Sequence, residues 1–316
     1  MNDDILADQE NFERAWLVGV QFPDTTPGEV EEHLDELEAL VDTLGAKVVG
    51  REVVKIAKPN AKFLIGSGKV DEILGWLEHH EVDVVIFDDD LTPAQQKAWE
   101  KVTKKAVIDR RKVIIDIFAQ RAMTKEARLQ IKLASMEYQL PRLKRAWTHL
   151  ERQRGGGGFI GGAGEAQIET DRRLVRDEIA KLKAELKKVR SHREHQRKAR
   201  QKRPVPNTAI VGYTNSGKSS LLNSMTKAEV LQEDQLFATL DPTTRRVELN
   251  NNQQMLLTDT VGFIRKLPHT LVEAFKATLE EAATADYLVH VVDVNHTQVH
   301  EHIETTNKIL GELGAA

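Results

Sequence analysis

Gly212-Tyr213-Thr214-Asn215-Ser216-Gly217-Lys218-Ser219 is the most restrictive segment of this 316-residue chain. It follows the short apolar run Thr208-Ala209-Ile210-Val211 and precedes Ser220-Leu221-Leu222-Asn223-Ser224-Met225, which reads as a helix start. A Gly-x-x-x-x-Gly-Lys-Ser octet between a buried strand and a helix is a phosphate-binding loop. Its glycines permit the tight turn, and its successive N–H groups and the helix N-terminus cradle phosphate oxygens. Lys218 is expected to reach the β/γ-phosphates as the charge-stabilising catalytic group, and Ser219 to ligate Mg²⁺. A strand-loop-helix unit of this type requires an α/β domain around it.

Two downstream segments fit the same chemistry. Gln253-Gln254-Met255-Leu256-Leu257-Thr258-Asp259-Thr260-Val261-Gly262 is an apolar strand ending in Asp-x-x-Gly, some forty residues after the loop. Asp259 is placed to hold the Mg²⁺ shell through water, and the Gly262 N–H to sense a γ-phosphate. Between them, Phe237-Ala238-Thr239-Leu240-Asp241-Pro242-Thr243-Thr244-Arg245 reads as a polar loop that brings one threonine hydroxyl to the metal. Thr239 is preferred over Thr243 and Thr244. The nucleotide contacts are therefore placed on Gly212 to Ser219, on Phe237, Ala238, Thr239, Leu240 and Asp241, and on Asp259, Thr260, Val261 and Gly262. Ser219 and Thr239 are the expected metal ligands.

The first part of the chain has a different pattern. Trp16-Leu17-Val18-Gly19-Val20, Lys47-Val48-Val49-Gly50, Val82-Asp83-Val84-Val85-Ile86-Phe87 and Ala106-Val107-Ile108-Asp109 read as strands, with helices near 28–43, 68–79 and 93–103 between them. That alternation predicts βαβ units on a parallel sheet. Gly66-Ser67-Gly68-Lys69 lacks the four-residue spacer of a phosphate loop and is read as a tight turn that starts a helix. Asp88-Asp89-Asp90 ends a strand where open sheets often hold ligands. The preferred reading is a solvated turn capping the helix near Pro93.

Residues 121–203 change character. Leu129, Leu133, Met136, Leu140, Leu143, Trp147 and Leu150 follow a 4-3 spacing, as do Val175, Ile179, Leu182, Leu186 and Val189, the apolar seams of two packed helices. Between them, residues 155–165 hold seven glycines in eleven positions, too many for a helix. The expectation is an antiparallel helical hairpin with a glycine loop at its tip and a kink or break at Pro141.

Charge is segregated along the chain. Residues 1–100 carry a net charge of -15, 101–210 carry +17 and 211–316 carry -6, so the total of -4 hides a strongly basic middle. From Lys187 to Arg203 there are nine basic side chains against one acid, Glu194. Arg142, Lys144, Arg145, Arg152 and Arg154 add to them near the glycine loop. Such an arm predicts contact with a polyphosphate backbone, and the scarcity of interleaved aromatics favours a folded nucleic acid over stacked single strands. The absence of cysteine excludes disulfides, thiolate nucleophiles and Cys-based metal sites. With an acidic N-terminus unlike a signal peptide and no 18-residue apolar run, a cytoplasmic location without membrane insertion is expected.

The phosphate loop, the 237–245 loop and Asp259-Thr260-Val261-Gly262-Phe263-Ile264 resemble those of translation-factor-class GTPases. Joined to Trp147-Thr148-His149-Leu150-Glu151-Arg152-Gln153 and Glu169-Thr170-Asp171-Arg172-Arg173, they resemble the HflX family, from about residue 14 onward. The resemblance implies a GTP-hydrolysing factor that uses GTP/GDP and Mg²⁺, acts as a monomer and binds the large ribosomal subunit and its rRNA. It further implies a glycine loop that approaches the peptidyl-transferase region, and in some members the splitting of stalled ribosomes. ATP-dependent activity is attributed to the N-terminal part of such proteins. The implied fold class is α/β: an N-terminal parallel-sheet domain (1–120), a helical hairpin with a basic arm (121–205) and a P-loop GTPase domain (206–316).

Two departures accompany the resemblance. Phe263 stands where many GTPases carry a water-orienting Gln, and an apolar ring cannot position the nucleophile, so slow intrinsic hydrolysis is expected. An Asn-Lys-x-Asp guanine motif is absent. Asn307-Lys308-Ile309-Leu310 matches only half of it, and the spacing of Ile303, Leu310 and Leu313 predicts an amphipathic helix instead. The last domain therefore reads as unfinished, a truncated chain. Two alternatives stay open on the sequence: an RNA-binding module with an incomplete nucleotide site, and an ATP-dependent RNA-remodelling enzyme.

Overall fold

The computed structural model describes residues 12–143, 163–200, 205–226, 235–249, 253–267, 271 and 281–315, with the backbone alone at 163–168, 190 and 192–200. The 147–153 motif, the glycine run at 155–162 and Lys202 and Arg203 of the basic arm lie outside the described residues. So do the side chains of Arg190, Arg193, Arg197, Lys198 and Arg200. Two compact units are present, Met1–Ile117 with Ser135–Glu178, and Phe118–Ala134 with Ile179–Ala316.

The first unit is built on the expected alternation. Strands β1 (Arg14–Gln21), β2 (Lys47–Lys55), β3 (Val84–Phe87) and β4 (Ala106–Asp109) form one sheet in the order β2-β1-β3-β4, every pairing parallel. Helices α1 (Pro27–Thr43), α2 (Ser67–His79) and α3 (Pro93–Thr103) connect them. Two of these helices start by the same device. At Thr26-Pro27 and Thr92-Pro93 the threonine hydroxyl accepts from the N3 amide, and the N3 side chain, Glu29 or Gln95, accepts from the threonine N–H. These capping boxes satisfy otherwise orphaned donors, and proline at N1 has none to lose. The sheet buries Trp16, Val18, Val85 and Phe87 against Ile73, Leu77 and Trp99.

The Asp88–Asp90 turn differs from expectation. It does not cap α3, which Thr92 does. Asp88 is buried and accepts from Arg110 at 3.0 Å, and Asp90 pairs with Arg111. A carboxylate removed from water needs such a partner, and the sequence offers one 22 residues on. The Gly66–Lys69 segment behaves as read: Gly66 is the N-cap of α2, and the Lys69 ammonium is held by Glu52 and Glu72 at 3.0 and 2.6 Å.

Helix α4 (Arg110–Arg121) follows β4 directly, and α5 (Lys125–Gln139) ends just before Pro141, the break expected there. Burial along α5 falls on Ala127, Gln130, Ile131, Ala134, Met136 and Tyr138, whereas Leu129, Leu133, Leu140 and Leu143 are half-buried. Of the expected seam, Met136 alone is buried among the described residues, and the inward stripe otherwise runs through Ala127, Gln130, Ile131, Ala134 and Tyr138. On α6 (Ala163–Arg200), Ile179, Leu182 and Leu186 are buried as the second seam predicts.

Arg142 is not part of an RNA-facing surface. Its guanidinium donates to the Asp109 carboxylate, the Leu91 carbonyl and Tyr138 O at 3.0 Å each and to Gln96 at 2.7 Å, and lies 3.5 Å over the Tyr138 ring. Asp109 is buried, so Arg142 neutralises an interior carboxylate. Burial raises the Asp109 pKa, while Arg142 and the Leu91 and Lys112 amides oppose the rise.

The second unit carries strands β5 (Asn207–Gly212), β6 (Thr243–Glu248), β7 (Gln254–Asp259) and β8 (Tyr287–Val291) in the order β6-β7-β5-β8. β5 pairs in parallel with β7 and β8, and β6 runs antiparallel to β7. The polar loop read at 237–245 therefore stops at Pro242, and Thr243 onward is an edge strand. Helix α7 (Lys218–Thr226) follows β5, its Leu222 packed with Ile210, Val247 and Leu257. Helix α8 (Val299–Glu312) buries Thr306, Ile309 and Leu310, and Asn307-Lys308 lies inside it, not on a guanine-reading strand.

Candidate functional site: a phosphate loop and its switch segments

The loop between β5 and α7 lies at the carboxyl end of a strand flanked by two parallel neighbours, where open α/β sheets hold their ligands. Its backbone needs residues without the usual steric limits. Gly212 has φ +152°, and a Cβ there would lie 2.3 Å from the Val291 carbonyl oxygen, so β8 closes on it. Gly217 sits at φ +90° and Asn215 at +57°, the left-handed region that Gly and Asn tolerate best. Phe263 fastens the loop from the other side: its N–H donates to Gly212 O at 3.0 Å and its carbonyl accepts from Thr214 N at 2.7 Å.

A cleft of about 60 Å³ opens here, lined by Thr214 through Ser220, Gln235, Phe237, Ala238, Thr239 and Gly262. Lys218 is buried, and its ammonium donates to Tyr213 O at 2.5 Å. Burial lowers its pKa to about 8, against the opposing pull of Asp259. Ser216 Oγ is buried with no hydrogen-bond partner, a polar group awaiting an acceptor.

Beneath the cleft, three oxygens from three segments meet. Ser219 Oγ donates to Asp259 Oδ2 at 2.6 Å, Thr239 Oγ1 donates to the same oxygen at 2.9 Å, and the two hydroxyls are 2.9 Å apart. Asp259 is fully buried, and its Oδ1 has no hydrogen bond. Burial raises its pKa, and the hydroxyls of Ser219 and Thr239 and the charge of Lys218 hold it down. Hard, uncharged hydroxyls around one carboxylate are the donor set that suits Mg²⁺, and the orphaned Oδ1 leaves capacity for a cation or its water. Of the three threonines considered, only Thr239 joins this cluster. Thr244 Oγ1 instead lies 3.0 Å from Thr258 Oγ1 across the β6–β7 pair.

Gly262 is a place of close approach. A Cβ at this position would stand 2.6 Å from Thr214 Cα and 3.0 Å from Lys218 Nζ. The remaining sequence-named residues stand back from the cleft. Thr260 Oγ1 donates to Ile210 O at 2.6 Å, Leu240 and Val261 are core residues, and Tyr213 stacks on His302 at 3.6 Å. Asp241 departs most from expectation: its carboxylate accepts from Met123 N and Thr124 N at 3.1 Å each and from Thr124 Oγ1 at 2.7 Å, and so serves the start of α5. Two lining residues were missed. Ser220 could have been taken from its place beside the motif; Gln235 carries no sequence signal.

A larger open groove of about 810 Å³ exists in the first unit. Of its lining residues, Lys112 and Asp116 pair with each other, and no phosphate-loop backbone borders it. Chemistry, not size, therefore selects the β5–α7 site.

Comparison with known proteins gives the family. Residues 31–119 match a family model described as GTP-binding GTPase N-terminal, 121–200 one described as GTP-binding GTPase Middle Region, and 207–314 one described as 50S ribosome-binding GTPase. A GTPase HflX of Akkermansia muciniphila is 51% identical over 97% of this chain and 72% of its own length. The chain belongs to the HflX family of GTPases. The GTPase HflX of Escherichia coli is 46% identical over 96% of this chain and 70% of the relative. Among solved structures, an SsGBP–GDP complex matches with a TM-score of 0.56 at 30% identity, covering 96% of this chain and 79% of that one. A GTP-binding protein of Sulfolobus solfataricus in complex with GDP matches with a TM-score of 0.51 at 28% identity, covering 96% and 78%. As a member of the HflX family the chain is a GTP hydrolase with a P-loop site. No helix among the described residues is long and apolar enough to cross a membrane.

Proposed function

We propose that this chain binds GTP in the cleft above β5 with Mg²⁺, hydrolyses it slowly on its own, and uses the state of the nucleotide to set its affinity for the large ribosomal subunit. The observation that carries the reading is the meeting of Ser219, Thr239 and Asp259 on one oxygen beside the buried Lys218. The convergence of residues from the loop, the 235–241 segment and the end of β7 supports their being parts of one site. Lys218 exchanges the Tyr213 carbonyl for phosphate oxygens, and loop amides and Ser216 Oγ donate to the same group. Ser219 and Thr239 would hold Mg²⁺, with Asp259 accepting from its shell. The ion supplies neutralisation of phosphate charge during transfer. Gly262 brings its amide against the loop where a γ-phosphate arrives.

Phe263 is buried and contributes only its backbone, so no side chain at that place orients the attacking water. Ribosome-stimulated hydrolysis follows as the working cycle, with the helical segment 121–205 and its basic arm as the rRNA contact. In this reading the protein works in the cytoplasm as a monomer, with domains at 1–120, 121–205 and 206–316. Release of stalled ribosomal subunits is the proposed outcome of the cycle.

The test is a titration of GTP, GDP and ATP with and without Mg²⁺, followed by turnover with and without large subunits. Mg²⁺-dependent binding of GTP and GDP that Lys218→Ala abolishes, and turnover raised by the subunits, are expected. Equal affinity for ATP would remove the guanine claim, and unstimulated turnover would remove the ribosomal one.

A further inference from the structure

The loop that delivers Thr239 is held by a part of the chain more than 100 residues earlier. Phe237 is buried at φ +57°, and its ring lies 4.6 Å, centroid to centroid, from that of Phe118 near the end of α4. Gln235 accepts from the Arg121 guanidinium. Asp241 takes three hydrogen bonds from Met123 N, Thr124 N and Thr124 Oγ1, while Thr124 Oγ1 also accepts from Ala127 N at 3.2 Å. These contacts bracket Thr239 on both sides, at 235, 237 and 241. On the loop's inner face, Phe237 N donates to Thr214 Oγ1 at 2.9 Å, and Thr239 Oγ1 meets Ser219 Oγ and Asp259 Oδ2 at 2.9 Å each.

We propose that Phe118 and Thr124, in the α4–α5 junction, are positioning residues of the GTPase site, holding the 235–241 loop so that Thr239 reaches Ser219 and Asp259. The inference rests on the nucleotide reading above. A left-handed, non-glycine Phe237 is not a conformation the loop adopts unaided, so the aromatic contact with Phe118 selects it. The Asp241 carboxylate lies where three donors at a helix start favour negative charge, which fixes the far end of the loop. Coupling of this kind is reciprocal. Whatever engages Thr239 steadies the start of α5, and whatever disturbs 118–124 weakens the hold on Thr239. The junction therefore links the nucleotide to the helical segment that the family model describes as the middle region.

The test uses the full chain carrying Thr124→Val, Thr124→Ser, Phe118→Ala and Phe118→Leu. Amide hydrogen exchange of nucleotide-free protein is read at residues 235–241, with β1 and β3 as the control for folding. Thr124→Val and Phe118→Ala are expected to raise exchange in the loop and to weaken a non-hydrolysable GTP analogue in Mg²⁺ about fivefold, the equivalent of one lost capping interaction. GDP affinity should change less than twofold, and Thr124→Ser and Phe118→Leu should restore most of the loss. Unchanged exchange in the loop, or equal losses for both nucleotides, overturns the inference. If the wild-type chain binds no guanine nucleotide, the nucleotide reading falls, and the exchange measurement still decides whether the junction holds the loop.

Discussion

Replacing Gly262 by alanine would place a methyl carbon 2.6 Å from Thr214 Cα, 3.0 Å from Thr214 Cβ and 3.0 Å from Lys218 Nζ. Carbon atoms in van der Waals contact prefer separations of about 3.5–4.0 Å, so the nearest approach is short by about 1 Å. A lysine end can swing aside, but Thr214 Cα is backbone. Its segment is tied by the 2.7 Å bond from Thr214 N to Phe263 O and the 3.0 Å bond from Phe263 N to Gly212 O. The methyl group must therefore stretch that pair of bonds or push the phosphate loop out of shape. Overpacking of this kind costs about 1–3 kcal/mol, which corresponds to about 5–150-fold in a binding equilibrium. Equilibrium titration with fluorescent GDP and a non-hydrolysable GTP analogue measures it, beside a thermal melt. The analogue should lose affinity within that range, GDP less, and the melting temperature should fall by a few degrees. Affinity for both nucleotides within twofold of wild type at an unchanged melting temperature would refute the shared-contact reasoning.

Further outcomes follow from other parts of the molecule. Burial holds Lys218 near pKa 8, below the 10.5 of an ordinary lysine, so between about 8 and 10.5 the unfolded chain binds more protons than the folded one. The unliganded protein should gain stability as pH rises through that window. Phosphate restores the proton, so nucleotide affinity should fall above about pH 8, by up to about tenfold per unit; a Kd constant from pH 7 to 9.5 would count against a charged Lys218 in the complex. Arg142→Met strips the partner from buried Asp109 and should lower unfolding free energy by about 3–5 kcal/mol, read by denaturant melts; a loss below about 1 kcal/mol would place that carboxylate in contact with water. Affinity for large ribosomal subunits should fall linearly with salt on logarithmic axes, at a slope of about -0.7 to -0.9 per phosphate neutralised, and a flat response would remove the basic arm as the contact surface.

The parallel strands of the first unit were legible because β-branched runs such as Val84-Val85-Ile86-Phe87 alternate with capped helices, and each level of the pattern agrees. The phosphate loop was legible because its spacing is fixed by the phosphate it cradles. Strand β6 was not: Thr243-Thr244-Arg245-Arg246 is an edge with one face exposed, and only Val247 is buried. Helix α4 gave no helical period, since Val113, Ile114, Ile115, Ile117 and Phe118 are all buried and crowd nearly every face. Arg142 was miscounted with the arm because a sum of charges cannot see that Asp109 lies 33 residues away in sequence and 3.0 Å away in space. Asp241 was given to the nucleotide for the same reason: nothing near it in sequence announces Thr124.

The boundaries of the two compact units fall inside α4, α5 and α6, after Ile117, Ala134 and Glu178. The ribosome that makes this chain emits Phe118–Ala134 before any strand of the P-loop sheet exists, so during synthesis that stretch waits for its partners while the first unit gains its last pieces. A fragment begun at β5, however well chosen by motif, would be born without the residues that brace Gln235, Phe237 and Asp241.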